Sequence, residues 1–166
     1  NDRAFNNKST GNRIGIMAAG MATGINDFVD IGKSCFKRIV EEWYLKDGST
    51  SESPAYSMMV MDTMWILSEM LEGYRGFTQD EEPMPVYGWH KYKAVWKGMY
   101  DTLLQDLHFP ASADSYPDSF LNATYCAIMA DRFSQPEYRA LLSRTLEKTP
   151  VTARRRILYL NDSQSN

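Results

Sequence analysis

Apolar residues recur along this chain at spacings of three and four, and almost nowhere do they alternate with polar ones. That period commits a chain to amphipathic helices, which bury their stripes by packing on one another. The expected fold is therefore all-α, with helical hairpins stacked side by side. At 43% hydrophobic residues over 166 positions the chain can enclose one core. Residues 1–160 are expected as a single helical domain and 161–166 as a frayed tail.

The first predicted helix spans residues 12–23 and consists largely of Gly, Ala, Ile and Met. A second takes Asn26 as N-cap and runs through "DFVDIGKSCFKRIVEEWYLK", with Phe28, Ile31, Cys35, Ile39 and Trp43 on its apolar face. Asp47-Gly48 forms a turn, and Ser53 caps a third helix with Pro54 at its first position. That helix, "AYSMMVMDTMWILSEMLEGYRG", is apolar on most sides and ends at Gly73 or Gly76. "WHKYKAVWKGMYDTLLQDLH" and "SFLNATYCAIMADRF" supply the fourth and fifth. Gln135-Pro136 opens a short helix, and a last one follows Pro150.

Composition narrows the function. A net charge of -3 speaks against a general nucleic-acid binder. No apolar run reaches the roughly 18 residues that span a membrane. No Cys/His cluster has zinc-ligand spacing, and no metal or cofactor is expected. Cys35 and Cys126 admit a bridge or two free thiols, and their helical setting favours buried thiols.

Three polar clusters stand out: Asn6, Asn7, Lys8, Asn12 and Arg13; then Asp47, Glu52 and Tyr56; then Asp114 and Asp118. Each is expected at the N-terminal mouth of an apolar helix, where free N–H groups and the helix dipole favour an anion. Taken singly, Asn, Ser and Asp there are ordinary caps, and Tyr56 is a core aromatic with a wet hydroxyl. Trp89, His90, Lys91 and Lys93 read as a half-exposed helix face, and Arg154 to Arg156 as a solvated one. The triplets at Asn7, Asn122 and Asn161 fit the glycosylation pattern, with Asn122 expected in mid-helix.

Taken together, "TGNR" with "AAG", then "DGSTSESPAY", then "FPASADSYPDS" resembles the helical domain of the heparinase II/III-like polysaccharide lyases. The resemblance covers roughly residues 7–120, and "TGNR" is also similar to chondroitin AC- and hyaluronate-lyase-type enzymes of the same α/α-toroid architecture. It implies a secreted or periplasmic enzyme that cleaves glycans rich in uronic acid, such as glycosaminoglycans or alginate, by β-elimination. It implies no cofactor, and that this chain is part of a larger toroid followed by a β-sandwich. Asn12 would neutralise the substrate carboxylate and Tyr56 would act as base and acid. Arg13, Glu52, Asp118 and Trp89 would bind substrate, with Tyr87, Trp43 and Tyr92 as further stacking candidates.

The match departs from the family in definite places. The Asn12–Tyr56 gap is 56 − 12 = 44 residues, short for the family; Ser57 stands where a His is common, and "PDS" replaces "GDS". The family's catalytic His falls later in the chain, and neither His90 nor His108 sits in a matching motif, so the catalytic set is expected to be incomplete here. Two other classes therefore stay open. One is a non-catalytic helical carbohydrate-binding or interaction module. The other is an (α/α)-barrel glycoside hydrolase using Glu52 and Asp118.

Overall fold

The computed structural model describes residues 7–113 and 115–148, the side chains of residues 7–9 excepted. Among the described residues the fold is all-α, with six α-helices and no strand. They are α1 (Asn7–Thr23), α2 (Asn26–Arg38), α3 (Pro54–Leu71), α4 (His90–Asp101), α5 (Ala123–Arg132) and α6 (Pro136–Lys148). The chain forms two compact units. Among the described residues the first takes 7–102 with 111–113 and 115–116, the second 103–110 with 117–148. The predicted last helix, Arg154 to Arg156, Asn161 and the tail lie outside the described residues, as do Asn6 and Asp114.

In the first unit α1 and α2 form a hairpin, and both pack on α3. The small residues of α1 serve this contact. A Cβ at Gly20 would stand 2.7 Å from the Cβ of Phe28 and 2.9 Å from the amide nitrogen of Val29, so α2 comes this close only against glycine. At the other end, Thr63 Oγ1 of α3 donates to Thr10 Oγ1 at 2.5 Å, and Thr10 is fully buried. That packing extends α1 five residues ahead of its predicted start, overriding the weak propensity of "NKSTG".

The buried face of α2 is also turned from the predicted one. Val29, Gly32, Cys35, Phe36 and, just beyond its end, Ile39 and Val40 are inside, whereas Phe28 and Ile31 are 39% and 38% exposed. Phe36 sets the rotation by entering an aromatic cluster, 5.0 Å edge-on to Tyr92 and 6.1 Å from Trp89. The helix begins one residue before expectation. Ile25 occupies the N-cap and Asn26 makes no side-chain cap. Its end is not α-helical either. Residues Ile39–Trp43 form a π-helical turn, after which Tyr44 is extended and pairs with Thr50.

The turn between them carries Asp47-Gly48 as expected. Asp47 Oδ1 accepts from the backbone N–H and the hydroxyl of Ser49 (3.0 and 2.7 Å). Gly48 has φ +84°, and a Cβ there would fall on the Ala94 carbonyl of α4.

α3 is enclosed as its sequence demands, with Val60, Met61, Met64, Leu67 and Leu71 all buried. Each such side chain contributes about 1.5–3 kcal/mol relative to exposure. α4 stops earlier than predicted, at Asp101, because Thr102 shares its hydroxyl proton between the carbonyls of Gly98 (2.9 Å) and Met99 (3.1 Å).

In the second unit the residues expected to continue that helix form a turn instead. Leu107 adopts φ +71°, and His108 pairs with Phe120. α5 accordingly begins at Ala123. Asn122, expected in mid-helix, is its exposed N-cap, with Oδ1 accepting from Thr124 N–H at 2.8 Å. α5 packs on α6, where Cys126 Sγ lies 3.3 Å from Thr145 Oγ1. Both cysteines are free and buried, and burial pushes the Cys126 thiol up to about 11.

Gly48→Ala should cost on the order of 2–4 kcal/mol, because it meets both the positive φ and the α4 backbone. Gly24→Ala, with φ +77° but open space at its Cβ, should cost only about 1 kcal/mol. Urea denaturation of the two variants measures the difference.

Candidate functional site

The N-terminus of α3 carries the second sequence cluster and is closed by a residue from far along the chain. Ser53, fully buried, caps the helix, its Oγ accepting from Tyr56 N–H at 3.3 Å. Pro54 at the first position has no N–H to satisfy. Ser115, from the segment 111–116 of the same unit, accepts from Ala55 N–H at 3.2 Å. Ser57 N–H bonds the Ser53 carbonyl at 3.0 Å. Ser115 therefore docks on the first turn of "SPAY". No sequence signal singled out Ser115, whose role is set by a contact 60 residues away.

These bonds change what the helix mouth can do. The first-turn donors that were expected to hold an anion are consumed by protein hydroxyls and carbonyls. A carboxylate near Tyr56 must find its donors among side chains. Tyr56 itself is half-buried on the first turn, and Glu52 is exposed just before it. Ser57, where the lyase family often has His, is buried, and its carbonyl accepts from Tyr44 OH at 3.3 Å.

Asn12 and Arg13 are not at a helix mouth. With α1 beginning at Asn7 they fall in its second turn, Asn12 exposed and Arg13 half-buried. The neighbouring Thr10 and Gly11 touch α3 at Thr63. Thr63 is seven residues, about 10 Å of helix axis, beyond Tyr56. Arg13 acts toward α2, where its charge, with that of Arg38, offsets part of the upward push that burial gives the Cys35 thiol. Asp118 is exposed on a turn of the second unit, ahead of the segment in which Phe109 N–H bonds the Ser119 carbonyl at 2.8 Å, and so precedes no helix directly.

Trp89 is placed differently again. It is the N-cap residue of α4, half-buried, and it lines a cavity of about 430 Å³ with Met84, Pro85, Val86, Lys37 and Glu41. Lys91 spans from α4 to the π-turn, donating to the carbonyl (2.7 Å) and carboxylate (3.1 Å) of Glu41. Tyr87, Tyr92 and Trp43 were stacking candidates. Tyr87 and Tyr92 are core residues, and Trp43 is half-buried in the π-turn.

Beneath the cavity a buried phenol network ties α4 to α3. Ser68 Oγ spends its proton on the Trp65 carbonyl (2.9 Å), so Tyr92 OH is the donor in their 2.6 Å bond. Tyr87 OH donates to Glu69 Oε1 at 2.5 Å. Burial raises the pKa of Tyr44, Tyr87 and Tyr92 above the ordinary phenol value, and the negative charge of Glu69 raises Tyr87 further. Among the described residues no group of His, Cys, Asp and Glu is arranged to hold a metal ion. Compared with protein-family models, curated proteins and solved structures, the chain matches none.

Ser115→Ala should lower stability by about 1 kcal/mol and raise amide exchange at Ala55, read by hydrogen exchange. The buried phenols set an alkaline limit. Their folded pKa values lie above the unfolded value of 10.0, so the stability they confer is intact below pH 10 and is lost as pH rises beyond it. Phenolate absorbance of these three should therefore appear together with unfolding, not before.

Proposed function

We propose that this chain is the helical part of a polysaccharide lyase of the heparinase II/III-like kind, acting outside the cytoplasm on glycans that contain uronic acid. The observation that carries the reading is the docking of Ser115 on the N-terminal turn of α3. It brings Ser115, from the third matching stretch, against "SESPAY", the most specific one, and α1 with its "TGNR" packs on the same helix.

The chemistry such a site performs is a β-elimination. The proton on C5 of a uronate becomes acidic only when its carboxylate is stabilised as the double bond forms. The Asn12 amide is the donor assigned to that carboxylate, in the manner of an oxyanion hole. The Tyr56 oxygen, as phenolate, takes the C5 proton. The released electron pair forms the C4–C5 double bond as the C4–O bond breaks, and the departing oxygen regains a proton from the same phenol. Glu52 is close enough in sequence to orient a sugar hydroxyl. Asp118 stands in the second unit and is left without a role here.

A second reading is favoured by two facts. Asn12 is exposed in mid-helix, and the contact between α1 and α3 falls two turns beyond Tyr56. A helical module with those features binds acidic glycans without cleaving them.

Incubation with hyaluronan, chondroitin sulfate, heparan sulfate and alginate separates the two, because only elimination leaves an unsaturated uronate that absorbs in the ultraviolet. Asn12→Ala should reduce that signal by about 10²–10³-fold, and Tyr56→Phe by about 10²–10⁴-fold, with circular dichroism unchanged. Retention of full rate by either variant removes that residue from the mechanism. Binding with no ultraviolet product leaves the module reading.

A further inference from the structure

The cavity beside α4 lies outside the proposed catalytic pair. Met84, Pro85, Val86 and Trp89 form one wall, and Lys37 and Glu41 stand opposite in the chain's order. Both charged side chains are exposed. Lys37 therefore lends its methylenes to the wall and keeps its ammonium in water. The Glu41 carboxylate is taken by Lys91 at 3.1 Å. What is left for an occupant is apolar surface.

An ion pair stands at each end of this surface. One turn before Lys37, Lys33 reaches from α2 to Glu81 at 3.1 Å. Two residues beyond Trp89, Lys91 reaches back to Glu41. The two crossings bound the cavity along the chain, so it does not run on as a groove for an extended segment. Its volume is about 430 Å³. A cavity of about 150 Å³ holds one benzene, so this one has room for roughly two or three rings.

We infer that this cavity binds one small, uncharged, apolar molecule of two or three rings. Wall chemistry selects the occupant. A sugar or an ion would exchange water for Met84, Pro85 and Val86, none of which offers a side-chain donor, and would leave its own polar groups unpaired. An apolar ring gives up no hydrogen bond on entering. The wall is also fixed in advance. The amides of Gly73 and Val86 both donate to the Met84 carbonyl at 3.0 Å, and Gly88 N–H donates to that of Pro85 at 3.0 Å. Val86 is 1% exposed, and the Trp89 ring lies 6.1 Å from that of buried Phe36. Little ordering remains to oppose binding. The inference goes beyond the lyase reading and draws nothing from it.

The test is fluorescence titration with N-phenyl-1-naphthylamine, an uncharged three-ring dye that brightens on leaving water. It should bind saturably, one dye per chain. Met84→Glu, which sets a carboxylate on the wall, should weaken it at least roughly tenfold. Met84→Leu should keep the affinity within about threefold. Lys37→Gln, which keeps most of the stem and removes the charge, should leave binding unchanged. If circular dichroism shows Met84→Glu to be unfolded, Pro85→Glu, at an exposed position of the same wall, repeats the measurement.

No saturable binding, several dyes per chain, or full affinity in both charged-wall variants overturns the site. So does displacement of the dye by a uronate tetrasaccharide, or loss of binding in Lys37→Gln, since either marks a site for charged ligands. Dye that binds only to a self-associated form in analytical ultracentrifugation overturns it as well.

Discussion

α3 must bury most of its circumference, and the first unit encloses Val60, Met61, Met64, Leu67 and Leu71 while leaving only a narrow strip at Met59 and Asp62 exposed. A helix whose apolar residues run round most of its circumference must be enclosed on several sides. α1 covers it through Thr10, α2 packs alongside, and the residues before α4 and Tyr92 of α4 close further parts. Polar atoms that burial brings into α3 are answered at Ser53, Ser57 and Ser68, whereas nearby Trp43 Nε1 and Tyr74 OH are buried without a hydrogen-bond partner among the described residues. Ser68 Oγ accepts a hydrogen bond from Tyr92 OH, the Ser57 carbonyl accepts one from Tyr44 OH, and Ser53 Oγ accepts one from Tyr56 N–H in the helix's first turn. Each bond is worth only about 1 kcal/mol net. The cost of leaving any of them unmade is greater, and this explains why hydroxyls and not hydrophobes recur at these points.

That constraint was the most readable part of the chain. The cap at Ser53, the proline after it, the apolar run and the turn at Asp47-Gly48 are local signals, and each of these elements forms where its residues direct. The misreadings share a different cause. α1 begins early because Thr10 is buried against Thr63, 53 residues away. α2 turns its apolar face because Phe36 joins rings contributed by the segment before α4 and by α4 itself. α4 ends early because a threonine hydroxyl caps its last carbonyls and Leu107 enters the left-handed region. Periodicity reports which residues want burial. It does not report which neighbour arrives, and a neighbour is what moves a boundary or rotates a face.

The same distinction governs the site. The polar clusters were legible as composition, but their chemistry depended on contacts that only the fold supplies. Ser115 converts the mouth of α3 from a set of free donors into a satisfied cap, and this shifts the burden of holding a carboxylate onto side chains. The five residues that α1 adds at its start move Asn12 from a cap position to an exposed helix face, while Arg13 is turned to the charge environment of Cys35. Trp89 was legible as a half-exposed aromatic that the resemblance assigns to substrate binding, and its place as the N-cap residue of α4 was not.

The contrast between Lys37 and Lys91 shows how the fold assigns such roles. Both are lysines on helices, and both reach toward Glu41's neighbourhood. Lys91 is spent on bridging α4 to the π-turn, where it satisfies a carbonyl as well as a carboxylate. The wider π-turn matters here, because it leaves backbone carbonyls outside the regular helical ladder and Lys91 answers one of them. With that pairing complete, the second cation beside the cavity has no internal anion to hold. Lys37 is exposed and stays solvated at the cavity's edge, so it is the Lys91 bridge, not the neighbouring cation, that ties α4 to the π-turn.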